Sequence, residues 1–310
     1  MQTVVTASRG RSIQLLVPAA LLAAGLVMAA YGANLNGTWS GIFLRDCILL
    51  AAGTAAEVVV ILIGGIDLSI GANSLVVTLA AAKMLAAGGV TALAAIPSGL
   101  TIATLIGLSN GLIVWFGGGA PFIVTLGTTA VLQGIALTIS ASAVTGIPRW
   151  FGDIYAATIG PIPICVIGAI AALTGFAAFL RLSSTGRALY AIGGNARAAR
   201  WAGINTRRVT LVAYSIAGFF AGLAGLFVLS EDRLGNPGAG QALAFAAIAA
   251  AAVGGVSLYG GRGRVSGMVG GVVLLTGLIT LSGNIGISSY YQELIQGLVI
   301  LAGAAFSGRL

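Results

Sequence analysis

The chain has 310 residues, 58% of them hydrophobic and only 7% charged, whereas an ordinary soluble domain carries about a quarter charged residues. It has no histidine, one lysine and seven acidic residues, which removes most metal sites, Ser-His and Cys-His nucleophile pairs, and Schiff-base chemistry other than at Lys83. The composition is that of an all-α integral membrane protein, a single transmembrane domain over 1–310, and it leaves little room for a membrane-embedded enzyme.

Apolar runs of about 20 residues, the length of a spanning helix, recur from end to end. The predicted spans are 13–31, 46–64, 68–87, 91–116, 121–141, 161–180, 209–230, 241–257, 266–283 and 289–306, about ten in all. The first follows Arg9 and Arg11 and ends near Met28-Ala29-Ala30 in the manner of a secretory signal; with many spans behind it, it reads as a retained first helix. Gly64-Gly65, Gly88-Gly89 and Gly117-Gly118-Gly119 interrupt the stretch 60–120, so broken or half helices are expected there. The runs do not alternate apolar with polar, which disfavours a barrel.

The net charge of +8 suggests nucleic acid until the basic residues are placed on the spans. With an inside N-terminus, Arg9, Arg11, Arg181, Arg187, Arg197, Arg200, Arg207, Arg208, Arg262, Arg264 and Arg309 lie inside, and Arg45, Lys83, Arg149 and Arg233 outside. That asymmetry reports orientation, with both termini in the cytoplasm, rather than a polyanionic ligand. Cys47 and Cys165 fall at or inside spans, where neither a disulfide nor a thiolate metal site is expected. No G-x-x-x-x-G-K-[ST] loop is present, so no ATP site of that kind lies on this chain. Of the 48 glycines, those at Gly218 to Gly222 and Gly267 to Gly271 read as close-packing positions between helices.

Two acids stand out because charge within a bilayer is costly. Glu57, within a span, serves either a polar pathway or a buried hydrogen bond. Asp67 follows a glycine pair and opens Asp67-Leu68-Ser69-Ile70, so it either lines a pathway or caps the next helix. Asn73, Asn110, Thr125, Thr128, Gln133 and Phe245 are further pathway candidates, being polar or aromatic groups in apolar surroundings, with interhelical hydrogen bonding as the alternative role.

The long hydrophilic interruption, 181–208, predicts two short helical pieces, Ala188 to Ile192 and Asn195 to Ala202, separated by Gly193-Gly194. Asn195 is placed to cap the second piece and Gly203 to end it. Ala198, Ala199 and Ala202 make a small-residue face suited to a groove on a cytosolic partner; a basic loop lying on anionic lipid is the other reading. Outside, the loop Glu231 to Gly240 is a candidate contact for an external protein or a solvated turn.

Three segments together resemble the permease subunits of ribose-type ABC importers. They are Gly64-Gly65-Ile66-Asp67-Leu68-Ser69-Ile70-Gly71; Gly186-Arg187 through Gly193-Gly194-Asn195 to Ala202-Gly203-Ile204-Asn205; and Gly254-Gly255-Val256-Ser257-Leu258 with Gly260-Gly261-Arg262-Gly263. The resemblance runs in order over most of the chain, to Tyr290-Tyr291-Gln292 and Gly297-Leu298-Val299-Ile300.

The resemblance implies a type II importer architecture in a bacterial cytoplasmic membrane. It implies a second permease subunit, identical or different, a cytosolic ATPase that holds the ATP, and an extracytoplasmic binding protein that delivers a monosaccharide or similar polyol. The chain itself would bind no cofactor and catalyse nothing. It also implies that the segment containing Gly193, Gly194, Asn195, Ala198, Ala199, Ala202 and Gly203 couples to the ATPase. The competing class is an ion- or proton-coupled secondary transporter in which Glu57 and Asp67 carry the ion.

Overall fold

The computed structural model describes residues 39–301 except 160–161, 241, 285, 289, 292–293, 295–296 and 299–300. Of the predicted spans, 13–31 lies outside the described residues and 289–306 lies within them only in part.

Apart from one short hairpin, the regular structure of the described chain is helical, as its apolar runs dictate. In order it forms α1 (Trp39–Leu62), α2 (Ile70–Ala87), α3 (Gly89–Gly117), α4 (Pro121–Ile139), α5 (Arg149–Ala156), a two-stranded hairpin β1 (Thr158–Ile159) and β2 (Ile162–Pro163), then α6 (Ile164–Leu182), α7 (Ser184–Gly194), α8 (Ala196–Trp201), α9 (Thr206–Asp232), α10 (Leu243–Val253) and α11 (Val265–Asn284). The helices α2, α3, α4, α6, α9 and α11 are each long and apolar enough to cross a bilayer. α5 and the hairpin fill a connection for which the sequence reading assigned no element.

Local chemistry sets the boundaries. Gly88 and Gly89 both take positive φ, 73° and 59°, and fold α2 back onto α3. Pro121 stands at the start of α4, where its missing N–H costs nothing.

α1 is the central post, packed against α6, α9, α10 and α11. Its residues from Ala55 to Leu62 are almost wholly buried. α9 crosses α3 at glycines. A Cβ on Gly107 would lie 2.9 Å from the Gly218 Cα, and one on Gly222 would lie 2.6 Å from the Ala103 Cβ. α10 meets α11 the same way: a Cβ on Gly254, just past the end of α10, would lie 3.0 Å from the Met268 Cα. Small residues thus let these backbones touch, the packing role expected of 218–222 and 267–271.

The bundle has one basic end. Arg207 lies over the Phe116 ring at 4.9 Å, and Arg187 donates to the Leu182 carbonyl, so the end of α3, the end of α6 and the start of α9 share that side. At the opposite end Arg45 stacks on Tyr155 at 5.3 Å, Thr280 donates to Asp46, and Arg233 pairs with Asp153 at 2.9 Å.

The expected span 241–257 is corrected. Its helix, α10, is only 11 residues, about 16 Å at 1.5 Å per residue, which is too short for a hydrocarbon layer of about 30 Å. Two contacts fix where it starts. A Cβ on Gly53 of α1 would touch the Leu243 side chain, and Gly53 is nine residues short of Leu62, about 13 Å of helix. A Cβ on Gly240 would lie 2.9 Å from the Gly71 carbonyl oxygen. α10 and α2 therefore both begin partway along α1 rather than at an end of the bundle, with irregular backbone at 233–240 and 63–69. The first of these descends along α2: Gly235 packs against Ala82 and Leu79, Gly240 against Gly71 and Ser74.

Candidate functional site

Three glycine pairs far apart in sequence meet at the basic end. α1 finishes at Leu62, whose carbonyl accepts a hydrogen bond from Gly261 N at 3.1 Å. A Cβ on Gly260 would lie 2.9 Å from both the Cα and N of Gly64 and 3.2 Å from the Gly193 Cα. One on Gly261 would lie 2.6 Å from Gly194 N. Backbone thus packs directly on backbone at the junction of α1, α7 and the turn 257–262, and a side chain at Gly193, Gly260 or Gly261 would run into main chain. The three segments that carry the family resemblance form one corner.

The 181–208 connection is built on this corner. Ser183 caps α7 by accepting from Gly186 N at 2.8 Å, and Tyr190 donates to the Gly263 carbonyl at 3.2 Å. Burial raises the pKa of this phenol against the opposing pull of Arg181 and Arg264, so it stays a donor at neutral pH. α7 starts earlier than the predicted 188–192 and contains Gly193-Gly194 as its last residues instead of ending before them. Asn195 caps α8, its Oδ1 accepting from Arg197 N and Ala198 N at 3.0 Å each, and Gly203 leaves the helix at φ 82°.

Ala199 does not face outward as expected. It is 5% exposed, part of the core, and its carbonyl accepts from Ile204 N. Ala198 and Ala202 are exposed, and beside them Trp201 is 85% exposed. The outward surface of α8 is therefore Ala198, Ala202 and Trp201 among Arg197 and Arg200. The sequence reading missed Trp201; an aromatic in a basic, otherwise polar loop is the signal for it.

Four of the pathway candidates form a chain of hydrogen bonds with Ser69, and a fifth braces it. Glu57 Oε1 accepts from Asp67 N at 3.3 Å. Asp67 Oδ1 accepts from Ser69 N at 2.9 Å and from its hydroxyl at 2.6 Å. Asn110 Nδ2 donates to Ser69 Oγ at 2.8 Å, and Thr128 donates to Asn110 Oδ1 at 2.7 Å. Thr125 sits between Ile66 O and Leu68 N, 3.2 Å from each. Asp67 closes the turn that leads into α2 rather than capping the helix itself, since Ser69 is the residue before it. Glu57 is fully buried and its Oε2 has no partner among the described residues.

This chain satisfies the irregular backbone at 66–69 and ties it to α1, α3 and α4, which is what such backbone requires within a membrane. Its inner members, Glu57, Asp67, Ser69, Asn110 and Thr125, are each 2% exposed or less, and Thr128 at its outer end is half-buried. Asn73 stands apart, donating to the Ala103 carbonyl on α3. Gln133 and Phe245 are exposed, on α4 and α10, and join neither group.

No metal-holding group of His, Cys, Asp and Glu occurs among the described residues. The glycine contacts join α7 to the end of α1, and the polar chain ties α1 to the start of α2.

The family described as "Branched-chain amino acid transport system / permease component" matches residues 38–304. The D-allose transport system permease protein AlsC of Escherichia coli (strain K12) is 39% identical over 270 residues, 85% of this chain and 81% of the relative. The ribose import permease protein RbsC of Bacillus subtilis (strain 168) is 38% identical over 252 residues, 78% of this chain and 76% of the relative. RbsC of Escherichia coli (strain K12) is 36% identical over 253 residues, 78% of this chain and 77% of the relative. No solved structure matches the chain.

Proposed function

The chain belongs to the permease-component family of ABC importers, and on that premise we propose that it is a membrane-spanning subunit of an ATP-driven importer for a monosaccharide of the ribose or allose kind. It works in a bacterial cytoplasmic membrane with its basic end inside, beside a second permease subunit, above a cytosolic ATPase and beneath an extracytoplasmic sugar-binding protein. Transport needs no covalent step from this chain: ATP on the ATPase and the loaded binding protein bias the inward- and outward-open states of the permease.

The observation that carries this reading is the corner. A capped short helix presents Trp201, Ala198 and Ala202, and it stands on a glycine-only junction with the ends of α1 and α7. A partner that seats α8 therefore pushes on the post of the bundle. The basic loop with an exposed tryptophan also fits the polar cytosolic side of a membrane, in keeping with the charge asymmetry. Neutral cargo is supported by the scarcity of charge within the spans, since a zwitterionic amino acid would call for charged partners. The burial of Glu57 and Asp67, each held through one carboxylate oxygen by the 67–69 turn, speaks against ion coupling there.

The test is co-purification of the permease with its ATPase, together with ATP-dependent uptake of labelled D-ribose and D-allose into vesicles. Ala198→Glu and Trp201→Ala are expected to leave the permease folded while reducing co-elution and uptake together. An ATPase that stays bound to both variants, or uptake that proceeds without ATP, would sink the reading. Ala199→Glu is the wrong probe, because a charge there enters the core.

A further inference from the structure

The two irregular segments share one cleft. It is lined by Leu68 from the first, Ala239 from the second, Gly71 and Leu75 of α2, and Thr129 and Gln133 of α4. Non-helical backbone at membrane depth persists only where protein buries it or where it borders water. The polar chain buries the inner side of 66–69, and this cleft borders the other.

Gln133 decides between water and lipid. It lies well inside α4, it is exposed, and its amide has no hydrogen-bond partner among the described residues. An unpaired amide facing hydrocarbon costs several kcal/mol, while Ile123 and Val131, on other faces of α4, are apolar and suited to lipid. Thr129, one turn earlier, lines the same cleft, so α4 presents a polar stripe where α2 and α10 begin.

We propose that this cleft is the narrow point of the translocation pathway and that Gln133, with Thr129, is the contact for sugar hydroxyls passing it. The proposal rests on the importer reading and names where the cargo touches this subunit. The Gln133 amide offers both donor and acceptor, the complement of a hydroxyl, and no charge lines the cleft to hold an ion. Here the cleft admits little more than a water molecule, so cargo passes only when the starts of α2 and α10 separate. Gly240 packs there against Gly71 and Ser74 of α2, and it takes a φ of 77° that other residues resist.

The experiment uses the full transporter in membrane vesicles with Cys47 and Cys165 replaced by serine. Gln133→Cys is treated with a membrane-impermeant thiol reagent and compared with Ile135→Cys, also exposed on α4. A thiol in water forms the reactive thiolate and one in lipid does not. Labelling of Gln133→Cys at least about tenfold faster than Ile135→Cys is expected, with a further rise during ATP turnover. In parallel, Gln133→Ala should lower D-ribose or D-allose uptake by about tenfold through loss of a hydrogen bond, with ATPase association unchanged.

Labelling no faster than at Ile135→Cys would overturn the proposal, and so would a disulfide between two copies of Gln133→Cys, which would make this stripe a subunit interface. If the unmodified transporter shows no ATP-dependent uptake, the importer reading itself fails. The labelling comparison still decides whether the cleft holds water.

Discussion

Gly193 and Gly194 are neighbours in the last turn of α7, and they provide a controlled comparison. A Cβ on Gly193 would collide with the Leu62 carbonyl oxygen and the Gly261 amide nitrogen and lie 3.0 Å from the Gly261 Cα; a Cβ on Gly194 would meet nothing within 4 Å. Neither residue has a positive φ, so each alanine gains about 1 kcal/mol of helix propensity. At Gly194 that gain stands alone. At Gly193 main-chain atoms must move by roughly an ångström to restore ordinary contact distances of about 3.5 Å. Overpacking of this kind costs about 1–3 kcal/mol, at the upper end when no side chain can rotate away.

The net expectation is Gly193→Ala destabilised by about 1–2 kcal/mol and Gly194→Ala neutral or slightly stabilised. Melting of the detergent-solubilised protein, followed by loss of the monodisperse peak in size exclusion, should fall by several degrees for Gly193→Ala only. Uptake in vesicles should fall with it, because the Gly261 N to Leu62 O bond lies in the displaced contact. Equal melting and equal uptake for the two variants would refute a backbone-on-backbone corner.

Asn110→Leu removes the link between Ser69 and Thr128 and leaves buried groups unpaired, a loss of about 1–3 kcal/mol; it should lower thermal stability, whereas Thr138→Val on the exposed face of α4 should not. Gly107→Ala sets a Cβ against α9, 2.9 Å from the Gly218 Cα, and should reduce folded yield more than Gly127→Ala, which meets nothing within 4 Å.

Much of this was legible in the sequence because the signals are local. Runs of apolar residues mark the long helices, and Asn195 and Gly203 punctuate α8 by their own conformational preferences. The start of α10 was not legible. Residues 242–256 carry no polar side chain, and what stops the helix from extending upward is the packing of 235–240 along α2, made with residues more than 150 positions away. The polar chain is similar: its members were individually conspicuous, but the bonds span 10, 57, 41 and 18 residues of sequence. Ala199 was misassigned because a six-residue helix of alanines and arginines has no periodicity long enough to show which face is inward.

The corner also bears on how faithfully movement is carried. Side chains dissipate a push by changing rotamer, and each rotatable bond between two helices adds slack. At Gly64, Gly193, Gly260 and Gly261 there are no such bonds, so on the proposed coupling a displacement of α7 would reach α1 through main chain alone, as in a keyed shaft. For a machine whose fuel is spent on one subunit and whose gate opens in another, the missing side chains remove the play from the linkage.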